Sequence, residues 1–310
     1  MVEYLKETLK PHGGKVIAGD SDRFSPALYH ADDYVILQPI NDEGYISSVI
    51  DACKRKEIDA IIPLIEEEVP QLVKNHSVLS NLGVKLITSE QDMVDICTDK
   101  LKTYQYIKEL GYPGVPTFSS VSEMKDLLED DEFDYPLIVK PADGKASQGV
   151  HRVENEQELK EAVEEVGHPI IQPYLKEKEY GIDVYMDMIS GDLVDLFIKE
   201  KFEMAGGATD KSVSIRNDVL ETMIKGLMNA ANFIGPLDID VFEWNGKYYI
   251  SEINPRFGAG YLHAHEMGRN YMEYILKNIQ DEMNFPFAGA QYPEGIVMMK
   301  YPEVSLRKFE

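Results

Sequence analysis

The chain has 310 residues, enough for two or three domains with real cores. Its 44% apolar and 28% charged residues are the balance of a folded soluble protein, not a disordered one. With 31 basic against 55 acidic residues the formal charge is −24, which argues against nucleic-acid and membrane partners because phosphate backbones and anionic lipid would be repelled.

No apolar run reaches the length of a membrane span, and Ala60–Ile65 is interrupted by Pro63. The first residues carry charge early and lack the apolar core of a secretory signal. Cys53 and Cys97 have no companions at metal-ligand spacing and cannot build a disulfide framework. The expected compartment is cytoplasmic.

Val2, Leu5 and Leu9 predict a helix over 2–10, broken by Gly13 and Gly14. Strands at 16–18, 34–37, 60–65 and 84–87 then alternate with helices at 44–56 and 67–79, followed by a helical pair over 90–110. This alternation predicts a Rossmann-like, parallel, doubly wound α/β domain over 1–98. A strand ordinarily precedes the first helix in such folds, so the first strand and its turn are expected to be absent. After the Gly and Pro residues at 111–116 comes an α+β unit, 99–175. It holds a helix at 122–129, a strand at 137–140, a glycine-bearing loop, a helix at 155–165 and a strand at 170–172. The remainder, 176–310, reads as antiparallel strands at 181–189, 193–201, 237–243 and 247–253, with helices at 217–233 and 266–279.

The most informative stretch is 248–256. On a strand, Glu252 and Asn254 share one face while Ile253 points to the core. A carboxylate beside an amide oxygen suits a hard cation such as Mg²⁺. Asp240, on the preceding strand, joins them only in one register. A two-residue turn at Asn245-Gly246 would set it against Ser251, whereas a three-residue Trp244–Gly246 loop would bring Asp240, Glu252 and Asn254 together. The three-residue loop is the expectation. Taken alone, an amphipathic hairpin with a solvated acid is the commoner outcome.

Lys140 ends an apolar strand and precedes Asp143–Gly149, a loop whose glycines allow backbone N–H groups to close over phosphates, with the lysine as a point charge. Neither a Walker A nor a Gly-x-Gly-x-x-Gly pattern is present. Further on, Tyr174 and Leu175 lie on an extended linker where backbone could pair with a purine edge, and Glu179 could take two ribose hydroxyls. Lys199 and Lys201 fall on one face of a strand, and a solvated strand edge is the commoner fate of each alone. His263 and His265 invite a zinc reading that no third ligand supports.

In this order the motifs resemble the ATP-grasp superfamily, and within it the stand-alone carbamoyl-phosphate-synthase large-subunit-like group that includes the pyrrolysine-pathway amino-acid ligase. The resemblance implies an ATP-grasp fold behind a Rossmann-like pre-ATP-grasp domain. It implies that ATP is held by Lys100, Lys140, Gly144, Ser147, Gly149, Val150, Gln172, Tyr174, Leu175 and Glu179. Asp240, Glu252 and Asn254 match the ligands of two Mg²⁺ ions, for which Mn²⁺ is a substitute. Arg256 matches the phosphate-contacting arginine, and Lys201 is assigned with it to transition-state charge, Lys199 being the competing choice. The implied activity is an ATP-dependent carboxylate–amine ligase that works through an acylphosphate on a small-molecule acid and amine; a homodimer is compatible with it. Bicarbonate as the acid, or a nucleotide-binding regulatory module without turnover, are the alternatives.

Overall fold

The computed structural model describes residues 1–124, 133–144, 149–175 and 178–306. The N-terminal part runs α1 (Val2–Leu9), β1 (Ile17–Asp20), α2 (Pro26–His30), β2 (Asp33–Ile36), α3 (Tyr45–Lys56), β3 (Ala60–Ile61), α4 (Glu68–Lys74), α5 (His76–Asn81), β4 (Lys85–Leu86), α6 (Gln91–Cys97) and α7 (Lys100–Glu109). The strands form two parallel pairs, β1 with β2 and β3 with β4, in place of the one continuous sheet expected. Strand β3 stops two residues before Pro63, which has no N–H to continue a ladder. The single helix expected over 67–79 is divided at Asn75, whose φ of −104° and ψ of 13° end α4 before α5 begins. Tyr45, Val49, Leu72, Leu79, Val84 and Val94 form the core of this part.

The middle part is an antiparallel sheet of order β6-β5-β7, from β5 (Leu137–Pro141), β6 (His151–Val153) and β7 (Pro169–Pro173). Helix α8 (Glu156–Glu165) packs on it through Leu159 and Ala162, and Asn155 caps the helix by accepting from the Glu158 N–H. The expected helix over 122–129 lies largely outside the described residues.

The C-terminal part is a six-stranded antiparallel sheet of order β12-β11-β8-β9-β10-β13. Its strands are β8 (Lys178–Met186), β9 (Leu193–Ala205), β10 (Ala208–Ser214), β11 (Gly235–Trp244), β12 (Lys247–Asn254) and β13 (Val297–Met299). The helices are α9 (Asp218–Ala230), α10 (Tyr261–Glu266) and α11 (Tyr271–Ile279). Period-two alternation gives the sheet two unlike faces. One buries Ile182, Val184, Ile198, Ile239, Val241 and Ile253 under Leu220, Ile224 and Leu227 of α9. The other carries the charged residues described below. The sequence reading missed β10 because the strand follows a Gly206-Gly207 turn and breaks its alternation with register shifts around Lys211. Among the described residues no helix is long and apolar enough to cross a membrane.

Candidate active site

The charged face of the large sheet is ordered in rows across neighbouring strands. Asn254 lies opposite Asp238, and Asp238 opposite Asp183. One step along, Glu252 lies opposite Asp240, Asp240 opposite Gly181, and Gly181 opposite Lys199. Glu179 lies opposite Lys201 in the next row. Residues opposed in an antiparallel ladder share a face with Cβ atoms about 5 Å apart, so this pairing brings the acids and lysines together.

The expected register is reached by a different route. Trp244 pairs with Lys247 across a two-residue Asn245-Gly246 turn, both residues left-handed at φ of 51° and 69°. That turn alone would set Asp240 against Ser251. A β-bulge corrects it: Val241 pairs with Ile250 and Asp240 with Glu252, so Ser251 is the extra residue. The three-residue loop is therefore wrong, while the alignment of Asp240, Glu252 and Asn254 stands.

Lys201 is not on a solvated edge, since β9 is paired on both sides. Its side chain is 4% exposed, and its ammonium donates to Asp240 Oδ1 at 2.6 Å and Glu179 Oε1 at 2.9 Å. Burial opposes its charge, but Asp240, Asp238 and Glu179 outweigh burial and raise its pKa above the ordinary lysine range. Burial pushes Asp240 up to about 7 against the pull of Lys201, and Asp238, Glu179 and Glu252 add to the rise. Lys199 lies deeper. It is fully buried and paired with Asp183 at 2.5 Å, and Asp183 is itself pushed up to about 6, mainly by burial. Arg256 sits over this face, 3.6 Å from Asp238 and 3.5 Å from Glu66 of the N-terminal part.

Lys201, Asp238, Asp240, Glu252, Asn254 and Arg256 line one wall of a cleft of about 900 Å³. The opposite wall holds Lys100, Lys140, Gly144 and Val150. Lys100 opens α7 and donates to the Gly144 carbonyl at 2.7 Å, tying the helix to the loop after β5. The Lys140 ammonium meets no described residue in a hydrogen bond or ion pair. Burial, helped by the charge of Lys100 and opposed by Glu252, lowers Lys140 to about 8. An ammonium with no partner among the described residues, beside a second lysine in a chain of charge −24, marks a place for an anion.

Other expected residues lie apart. Gln172 is buried and donates to Thr117 Oγ1 at 2.8 Å; Leu175 packs with Val115, Phe133 and Tyr249; Tyr174 lies under the Arg152 guanidinium at 4.7 Å. None of the three lines the cleft, although Phe242, which does, packs against the Leu175 cluster. Gly149 has φ of 64°, and Ser147 falls outside the described residues. His263 accepts from or donates to Ser212 at 2.9 Å beneath the sheet face, and His265 stacks on Tyr4 at 3.7 Å; neither lines the cleft. Asp238 was missed by the sequence reading, although its spacing of two from Asp240 on one strand carried the signal.

Among the described residues no three His, Cys, Asp or Glu side chains form a metal-holding group. The donor set here is two carboxylates and one amide, which leaves coordination positions for phosphate oxygens as Mg²⁺ sites commonly do. Burial raises Asp240 most, Asp238, Glu179 and Glu252 add to the rise, and a divalent cation relieves that part of it. The residues fit the ion.

Residues 97–260 match the family model of an ATP-grasp domain, and residues 1–87 that of a PylC-like N-terminal domain. The arginine-specific carbamoyl phosphate synthase large chain of Halalkalibacterium halodurans is 23% identical over 244 residues, covering 74% of this chain and 22% of that protein. The chain spans only 18% to 25% of the length of the first such relatives. Among solved structures, a biotin carboxylase–β,γ-ATP complex from Campylobacter jejuni superposes with a TM-score of 0.76 at 19% identity, over 91% of this chain and 71% of that one. The L-amino acid ligase of Bacillus licheniformis gives a TM-score of 0.69 at 21% identity, over 91% and 72%. Likeness at these identities establishes the fold.

Proposed function

The chain belongs to the ATP-grasp family, and from that premise we propose that it is an ATP-dependent carboxylate–amine ligase. The observation that carries this reading is the opposition, across one cleft, of the Lys140 ammonium, which has no partner among the described residues, and the ordered Asp240, Glu252 and Asn254 face. ATP bridges the two walls, with Lys100 and Lys140 on its phosphates and Glu179 on the ribose. Lys201 takes Glu179 Oε1, which leaves the second carboxylate oxygen for a hydroxyl. Gly144, Gly149 and Val150 are assigned to the phosphates, with Ser147 outside the described residues, and the adenine to the end of the cleft at Phe242, which packs against Leu175; Gln172 and Tyr174 lie behind that wall and do not line the cleft.

Mg²⁺ at Asp240, Glu252 and Asn254 supplies neutralisation of the β- and γ-phosphate charge. The protein's own part is positioning. A substrate carboxylate oxygen attacks the γ-phosphorus, the bond to the β,γ-bridging oxygen breaks, and ADP leaves with that electron pair. Lys201 and Arg256 hold the charge that develops on the equatorial oxygens. An amine nitrogen then attacks the acylphosphate carbonyl; the C–O bond to phosphate breaks and a proton leaves the nitrogen, giving the amide. Acylphosphates hydrolyse readily, so the loop over Gly144 and Val150 must exclude water during the second step. A homodimer belongs to the same proposal and is read by light scattering.

ADP release measured against pooled amino acids tests the reading. Release stimulated by an acid and an amine together supports it. ATP bound without turnover under every pair would leave a regulatory module, and stimulation by bicarbonate alone would assign carboxyphosphate chemistry.

A further inference from the structure

Lys199 lies under the site and takes no part in the chemistry above. Its side chain is fully buried, threads between two glycines, and ends on Asp183 Oδ2 at 2.5 Å. A Cβ on Gly260 would stand only 2.5 Å from Lys199 Cε, and one on Gly181 would stand 2.9 Å from Lys201 Cε and 3.1 Å from Lys199 Cε. Gly260 therefore clears a passage for this side chain, and Gly181 makes room for both lysines. Asp183 is buried, and its Oδ1 has no hydrogen-bond partner among the described residues. Its neighbour across the ladder is Asp238. Asp238 lies under Gly258, where a Cβ would be 2.4 Å from its carboxyl group, and stands 3.6 Å from Arg256.

Like charges directly opposed across strands repel. Asp183 and Asp238 are such a pair, and Lys199 is the cation that cancels one of them. We propose that Lys199 is a positioning residue for the γ-phosphate end of the cleft: by cancelling the Asp183 charge it lets Asp238 lie in its row and hold Arg256 over the site. The inference rests on the nucleotide reading of that cleft. A lysine kept only as filler would be replaceable by methionine, which has nearly the same length and shape.

The test is calorimetry on the full chain with Mg²⁺, comparing the affinity for β,γ-imido-ATP with that for ADP. In Lys199→Met the preference for the triphosphate should fall by roughly tenfold or more, with ADP affinity within about twofold, because breaking a buried pair leaves its partner uncompensated. The double variant Lys199→Met with Asp183→Asn, which removes both charges, should regain the preference. A single variant with the wild-type preference overturns the proposal, as does a double variant that fails to regain it. Should Lys199→Met not fold, Gly260→Ala crowds the same side chain without deleting its charge. It should lower the preference for the triphosphate while ADP affinity stays within about twofold, and an unchanged preference overturns the proposal. A wild-type chain that binds neither nucleotide ends the nucleotide reading instead, a different result from an unchanged preference.

Discussion

The two walls of the cleft are built on opposite principles. On the large sheet, Lys201 is braced by Asp240 and Glu179, Lys199 by Asp183, and Arg256 by Asp238 and Glu66. Each of these ties one strand or loop to another, so the wall is organised before any ligand arrives. On the small sheet, Lys100 is spent on the Gly144 carbonyl and Lys140 has no described partner. On the proposed reading that wall completes its electrostatics when an anion enters. One wall is preorganised to bind charge as it develops, and the other, among the described residues, leaves an ammonium for the ligand to satisfy.

If this contrast holds, substitutions on the large sheet should damage turnover most. Glu252→Gln keeps the shape and removes one metal-ligand charge; Mg²⁺-dependent ADP release should fall by about a thousandfold or more with an unchanged melting temperature. Retained release would take Glu252 out of the metal site. Lys201→Met should lower kcat by about a hundredfold. It should also destabilise the chain by about 3 kcal/mol, because Asp240 and Glu179 lose their buried cation. Denaturant unfolding and steady-state kinetics separate the two effects, and an unchanged kcat would move Lys201 to a structural role.

The small-sheet wall should respond through affinity and pH. Lys140→Met should weaken ATP binding by about tenfold or more and leave stability unchanged or improved. The folded Lys140 titrates at about 8 against an ordinary 10.5, so the folded chain loses this proton first. Its destabilising effect is complete below about pH 8 and is relieved as pH rises towards 10.5, so this group makes stability increase with pH over that window. Phosphates push the other way, so nucleotide binding near pH 9 should take up a proton. Calorimetry in buffers of different ionisation heat reads that uptake; it should vanish in Lys140→Met, and its persistence there would assign it elsewhere. The smallest effect is expected at His265, stacked on Tyr4 outside the cleft. His265→Phe should keep kcat within about twofold, as substitutions away from a site usually do; a large loss would give the histidine a role in the reaction.

Much of the fold was legible because long strands with regular alternation, such as β8 and β11, state which face is buried. The same alternation announced Glu252 with Asn254 and Lys199 with Lys201. What the sequence could not state was how strands compensate one another. The Asn245-Gly246 turn and the Ser251 bulge each shift the register, and only together do they place Asp240 opposite Glu252. Sequence alternation likewise could not rank Lys199 against Lys201. That depends on Gly260, distant in the chain, which gives Lys199 room beneath the floor of the cleft, while Lys201 lines the cleft itself. Short or bulged strands, β6, β10 and β13, escaped for want of periodic signal.

The central claim is that a metal–nucleotide joins two walls, neither of which binds it alone. Titrating the wild-type chain with ADP, first with Mg²⁺ and then with a chelator, and repeating both in Glu252→Gln and Lys140→Met, tests it directly. The account requires Mg²⁺ to strengthen binding in the wild type, that gain to be lost in Glu252→Gln, and Lys140→Met to bind weakly in either condition. Binding indifferent to Mg²⁺ in the wild type, or equal in all three proteins, would contradict it.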